Sequence, residues 1–169
     1  MTKSVFPYLR KKNKEIRPRE FLTEREVLSL LKAANESKHP LRNQTLVWMA
    51  YSHALRPAEA CTLQWGHIMF DSQQIAIPRL KNGKDCVHPL WERELRLLKK
   101  LNKQRTNNSS YVFLSQRGDV LSVKSFQDIL DKLGEIAKIP FKIHPHMLRH
   151  SLPTKLSGEG VNTATLQAF

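Results

Sequence analysis

His144-Pro-His-Met-Leu-Arg-His-Ser151, read HPHMLRHS, places three histidines and one arginine within eight residues, directly after Ile139-Pro-Phe-Lys-Ile143. Pro145 is suited to the first turn of a helix, where its missing N–H is no loss. On such a helix His146 and Arg149, three apart, lie side by side and present an imidazole and a guanidinium to one ligand. A phosphate suits both: arginine offers paired hydrogen bonds to phosphate oxygens, and histidine donates a hydrogen bond or moves a proton near neutral pH. His146 and His150, four apart, share a face as zinc ligands do in H-E-x-x-H, but the glutamate is missing and no third ligand stands at a familiar interval, so no metal is assigned. The plainer role for His144 and His146 is to cap and orient the helix that starts after Pro145.

Working outward, the charge of the chain agrees with a phosphate. Lys and Arg number 28 against 15 acidic residues, a formal charge of +13 over 169 residues of which 40% are hydrophobic. That length suits one domain with its own core, and that excess exceeds what solubility requires. The positive residues are spread over several elements, and no apolar run approaches the roughly 18 residues of a membrane span, so a polyanion is the expected partner and nucleic acid is favoured over a membrane. The N-terminus has no apolar signal-peptide core, and Cys61 and Cys86 show no zinc or disulfide spacing, so a reduced, cytoplasmic, metal-free protein is expected. Residues 1–20, rich in Lys and Arg and without apolar periodicity, read as a flexible basic arm, with the domain over 21–169.

Within that domain, Thr23-Glu-Arg-Glu26 has the form of a capping box opening a helix that the Asn35 to Pro40 stretch breaks. Arg42 to Ala54 reads as a buried helix, and Pro57 opens another, PAEACTLQW, with Arg56 at the junction. After Gly66 two β-type runs flank Lys81-Asn-Gly-Lys84, a hairpin signal with lysines at its tip. Helices are expected over Trp91 to Gln104 and Ser122 to Lys138, the latter stopped by Pro140. Pro153 should kink or end the last helix, because its ring meets the carbonyl of Arg149. The expected fold is mainly α with a small antiparallel β-sheet.

Four stretches together resemble the catalytic domain of tyrosine recombinases, the lambda-integrase-like family, and most closely its short fimbrial phase-variation members. They are FLTEREVLSLLKAA (21–34), SHALRPAEACTLQW (52–65), IAIPRLKNGKDCVHPL (75–90) and IHPHMLRHS (143–151). Their order and intervals follow the family from Phe21 onward. The resemblance implies site-specific DNA inversion or integration by strand cleavage and rejoining at an inverted-repeat or attachment site, with self-assembly on DNA and no cofactor. It implies that Arg56 and Arg149 hold the scissile phosphate, that His146 assists as hydrogen-bond donor or base, and that Lys81 protonates the departing 5′ oxygen. Glu59 would support the arginines and His150 would pack locally. Two departures stand out. The family's nucleophilic tyrosine follows the HxxR helix in a segment of the type LGH…Y, whereas this sequence reaches GVNTATLQAF (160–169); Tyr8, Tyr51 and Tyr111 all precede the helix, and no nucleophile is assigned. The expectation is therefore a catalytic domain truncated at its C-terminus and inactive alone. Ala54 also replaces the glycine that usually precedes the Leu-Arg of the first motif. The rival expectations are a non-catalytic DNA-binding module or decoy at recombination sites, and a metal-dependent nuclease, for which no carboxylate cluster speaks.

Overall fold

The computed structural model describes residues 19–78, 85–106 and 108–161. Most of the basic arm, Lys81 with the tip of its hairpin, and residues 162–169 lie outside them. Helix α1, Glu24–Asn35, begins where the capping box predicts: the Thr23 side chain accepts from the Glu26 N–H, and the Thr23 N–H donates to Glu26 Oε2 at 2.8 Å. The pair satisfies two amide groups that a helix start otherwise leaves to water. Val27, Leu30, Leu31 and Ala34 form its buried stripe. Arg19, on the arm side of the sequence boundary, already packs on the domain: its guanidinium lies 5.0 Å from the Phe141 ring centre and pairs with Glu26.

Helix α2, Pro40–Ser52, is the centre of the fold, with Thr45, Leu46, Val47, Met49 and Ala50 wholly buried. Pro40 opens this helix instead of only breaking the previous one, since a proline at N1 costs no hydrogen bond. The helix ends at Ser52, two residues short of the sequence reading, because Ala54 turns into the left-handed region at φ 46°. Helix α3 covers only Pro57–Cys61, and the rest of PAEACTLQW runs into a 3-10 turn at Trp65–His67.

The β region is a three-stranded antiparallel sheet in the order β1-β2-β3, from Ile68–Met69, Gln74–Ile77 and Cys86–Pro89. The first of the two expected runs divides in two, turning at Asp71 to Gln73 with Gln73 at φ 54°. Ile68, Ile75 and His88 face one another across the sheet, and all three are buried. Helix α4, Glu92–Lys103, and helix α5, Val123–Ile136, follow; Ser122 caps α5 by accepting from the Ser125 N–H at 3.0 Å. Tyr111 to Leu114 forms no ladder and makes only single bridges, to Gln64 and Val120. Against α2 pack α1, α4 and α6, the last being Pro145–Gly158. The architecture is mainly helical with one small sheet.

Pro153 does not end α6, which runs on to Gly158. Both flanks of the proline are tied down. Upstream, Ser151 Oγ donates to the Met147 carbonyl at 2.6 Å and accepts from the Leu22 N–H at 2.8 Å. Downstream, Thr154 Oγ1 donates to the His150 carbonyl at 2.6 Å, and Lys155 reaches Glu24 of α1 at 2.9 Å. Tertiary ties therefore outweigh a helix-interior proline, whose intrinsic cost is about 3 kcal/mol. Pro153→Ala is expected to raise the unfolding free energy by about 1–3 kcal/mol, read from urea denaturation. No gain would mean that the native helix is already adapted to the ring.

Candidate phosphate site

Arg56 is the N-cap of α3, a position imposed by the proline that follows it: Pro57 disfavours helical backbone at Arg56 and is itself preset for the first turn. Three residues on, Glu59 turns back to the cap. Its Oε2 accepts from the Arg56 backbone N–H at 2.8 Å and its Oε1 from the Arg56 guanidinium at 2.7 Å. Glu59 is only 5% exposed, so it is no ordinary surface glutamate. Arg149 arrives from α6 on the other side. Its Nη1 donates to the Ala54 carbonyl and stands 3.9 Å from Glu59 Oε2. Two guanidinium groups thus share one buried carboxylate. The group carries net positive charge, and both arginines remain partly open to solvent, with side-chain exposures of 33% and 22%.

His146 precedes Arg149 by three residues on α6 and is exposed, its ring stacked on that of His150 at 6.5 Å between centres. His144 is the N-cap residue but makes no side-chain cap bond; instead its Nδ1 lies 3.1 Å from Gln127 Oε1 on α5, so it orients the helix by a sideways tie. The expectation of a cap is corrected to that extent. Gln127 also donates to the Ile143 carbonyl at 2.6 Å, which fixes the backbone entering α6. Lys81 lies outside the described residues, so its relation to the arginines is not part of the described geometry.

Of the tyrosines, Tyr51 is 6% exposed and burial raises its phenol above the usual range, while Tyr111 lines a small cavity together with Glu59, His67 and Pro78. Tyr8 lies outside the described residues. Burial pushes the Cys61 thiol up to about 12, which leaves it protonated and a poor nucleophile. Among the described residues no three His, Cys, Asp or Glu side chains group so as to hold a metal ion.

Ala54 shows how the local sequence shapes this site. A non-glycine residue at φ 46° places its Cβ against the following carbonyl, at a cost of roughly 1 kcal/mol. The bend is held because the Ala54 carbonyl receives Arg149 and because the Leu55 N–H returns to the Ala50 carbonyl at 3.1 Å. Ala54→Gly is expected to stabilise the protein by about 0.5–1 kcal/mol, with the arginine geometry preserved. Thermal unfolding checks it, and a destabilised glycine variant would show that the lost methyl packing outweighs the strain.

Three buried residues near the site have no role in the sequence reading: His53 and His88, although they lie within two of the resembling stretches, and Glu94. The one local signal was Trp91-x-x-Glu94 at the start of α4, where Glu94 Oε2 accepts from the Trp91 N–H at 2.7 Å as a glutamate at N3 does. His53 and His88 come from separate elements, and nothing local announces their meeting.

The model of the phage integrase family matches residues 20–169. The type 1 fimbriae regulatory protein FimB of Escherichia coli K12 is 39% identical over 163 residues, covering 94% of this chain and 82% of FimB. A crystal structure of XerA recombinase superposes with a TM-score of 0.76 at 24% identity, covering 96% of this chain and 57% of that one. XerH site-specific recombinase bound to its difH substrate, in a pre-cleavage complex, gives 0.74 at 20% identity, covering 89% of this chain and 46% of XerH. The chain spans about half the length of these solved structures.

Proposed function

The chain belongs to the phage integrase family, and on that premise we propose that it is the catalytic domain of a site-specific DNA recombinase of the tyrosine type. The observation that carries the reading is the pairing of Arg56 and Arg149 on one buried carboxylate, Glu59. Such a pairing fixes two forks of N–H donors in one place before any ligand arrives. Preorganised donors of this kind act most strongly on charge that grows in a transition state.

In this reading Arg56 and Arg149 hold the non-bridging oxygens of the scissile phosphate. His146, exposed beside Arg149, donates a hydrogen bond or takes a proton, and Lys81 protonates the 5′ oxygen as it leaves. His150 supports His146 through ring stacking. No described tyrosine is assigned as nucleophile; that part falls to a phenol in a segment of the LGH…Y type, which attacks phosphorus and forms a 3′-phosphotyrosyl link while the 5′ hydroxyl departs. The DNA partner follows from the charge of +13 and from the DNA-bound state in which the XerH neighbour was solved. The similarity to FimB favours inversion at inverted repeats and a role in fimbrial phase variation. The reading includes a cytoplasmic location, residues 1–20 as a basic N-terminal arm whose Arg19 rests on the domain, and the catalytic domain over 21–169. No helix among the described residues is long and apolar enough to cross a membrane.

The test has two parts. Duplex binding should weaken steeply with salt, log K falling by about 0.9 per unit of log salt for each phosphate contacted. With an LGH…Y tail appended, a nicked suicide duplex should yield a covalent protein–DNA band on a denaturing gel, and the chain without the tail should yield none. Salt-sensitive binding with no band from a folded, extended chain would favour the non-catalytic reading. A band from the unextended chain, lost in Tyr111→Phe, would put the nucleophile at Tyr111.

A further inference from the structure

His53, at the end of α2, joins two other titratable side chains in a buried row that the phosphate chemistry above does not use. Its Nδ1 lies 3.2 Å from Nδ1 of His88 on β3, and its Nε2 lies 3.6 Å from Glu94 Oε1 at the start of α4. The three residues are 2%, 8% and 0% exposed. Burial alone would push the Glu94 carboxyl up, but His53, Ser52 and the Trp91 N–H together hold it below the usual carboxylate range. An ionised carboxylate in that position calls for an N–H directed toward it.

Proton placement then follows from the 3.2 Å approach of the two rings and from the charge of Glu94, which faces His53 Nε2 at 3.6 Å as an ion-pair partner, too far for a hydrogen bond. A neutral imidazole has one donor nitrogen and one acceptor nitrogen. If His53 turns Nε2–H toward Glu94, its Nδ1 is the acceptor, and the N–H in the gap must come from His88. A further proton on His53 Nδ1 would set two N–H groups against each other at 3.2 Å and drive the rings apart. The row has one ordered arrangement when His53 is neutral, and a doubly protonated His53 does not fit it. Other titratable and charged groups on the elements around it are Asp85 and Cys86 at β3, Arg93 on α4 with its guanidinium 4.2 Å from the Trp48 ring centre, and Arg149 of α6 on the neighbouring carbonyl.

The row bears on the site because His53 directly precedes Ala54, whose carbonyl receives Arg149. We propose that His53 is a positioning residue for the arginine pair: ordered by Glu94 and bonded to His88, it anchors the Ala54 turn to β3 and α4 and so sets where Arg149 stands. This deepens the phosphate-site reading and rests on it. A change of rotamer or tautomer at His53 would pass to Arg149 through one residue of strained backbone.

The experiment is an NMR titration of the full chain from about pH 8 to about pH 5, the range in which imidazoles change charge. Long-range proton–nitrogen spectra follow the His53 and His88 rings, and the Nε–H signals of Arg56 and Arg149 are followed with and without sulfate, which stays a dianion throughout. At the upper end His53 should carry its proton on Nε2 and His88 on Nδ1. On acidification the Arg149 signal should move with the midpoint of the His53 ring, and sulfate binding should fall severalfold over the same step. His88→Asn, whose amide can still donate to His53, should keep the coupled step, and His88→Leu should lose it. A His53 proton on Nδ1 at the upper end, or an Arg149 signal indifferent to His53, overturns the proposal while sulfate binding to the arginines survives. Sulfate that leaves both arginines unmoved at every pH overturns the phosphate reading and the positioning role with it, and the ring tautomers distinguish that failure from the first.

Discussion

Glu59→Ala lowers the unfolding free energy by about 2–4 kcal/mol, the largest loss expected from any single side chain around the arginines. Two effects add. The Arg56 N–H loses its acceptor at the start of α3, worth about 1 kcal/mol for a helix cap. The guanidinium groups of Arg56 and Arg149 then face a common space with no anion between them. Removing one partner of a fully buried ion pair costs about 3–5 kcal/mol, but these arginines are a third and a fifth exposed, so water recovers part of it. Glu59→Gln should recover the cap, about 1 kcal/mol, and not the charge. Guanidinium denaturation would hide the electrostatic part behind its own ionic strength, so urea is the denaturant to use. A loss below about 1 kcal/mol for the alanine variant would show that the carboxylate does not hold the pair together.

Arg149→Ala lowers the rate of covalent-complex formation by a hundredfold or more, on the order of 3 kcal/mol of transition-state stabilisation, in the chain carrying an LGH…Y tail. Duplex affinity should fall far less, because one cation among 28 contributes one phosphate contact. The separation of rate from affinity is the informative part, since a merely basic surface residue would change both by similar small factors. Arg149→Lys keeps the charge but not the planar fork, and it gives up the geometry that serves the Ala54 carbonyl and a phosphate together. It should therefore resemble alanine in rate and arginine in affinity. Equal, modest losses in both measurements would reduce Arg149 to a DNA-backbone contact.

What sequence could reveal here was what neighbouring residues settle among themselves. The cap at Thr23 and Glu26 and the helix opening at Pro57 are settled within four residues, and each appears where its pattern placed it; the caps at Ser122 and between Glu59 and Arg56 are equally local, though the sequence reading named neither. The spacing of His146 and Arg149 likewise follows from helix geometry alone. The misreadings have a common origin. Pro40 and Pro153 both disfavour helix locally, yet one is harmless at N1 and the other is overruled by ties to Leu22 and Glu24 far away in sequence. Distance also keeps local patterns silent about what Arg149 touches; only the family resemblance put Glu59 with the arginines. The partners of Arg149, the Ala54 carbonyl and Glu59, belong to the other half of the chain, and so does His53, whose neighbours on β3 and α4 no local period indicates. The tip of the hairpin, with Lys81, falls outside the described residues, so the third cation of the reading has only its sequence context.

The Ser151 hydroxyl, which takes the Leu22 N–H and gives its proton to the Met147 carbonyl, spans 129 residues of chain. On a ribosome adding about 5–20 residues per second, Leu22 waits roughly 6–26 s for that partner to be made. Helix α1 has its own cap, but its docking face against α6 does not exist until Ser151 has emerged. The loop that closes is long, and its entropy is spent before any packing across it is gained. The last tie of α1 to the domain therefore waits for α6, and a nascent chain arrested before Ser151 should hold a more protease-sensitive α1 that becomes protected once the serine clears the exit tunnel.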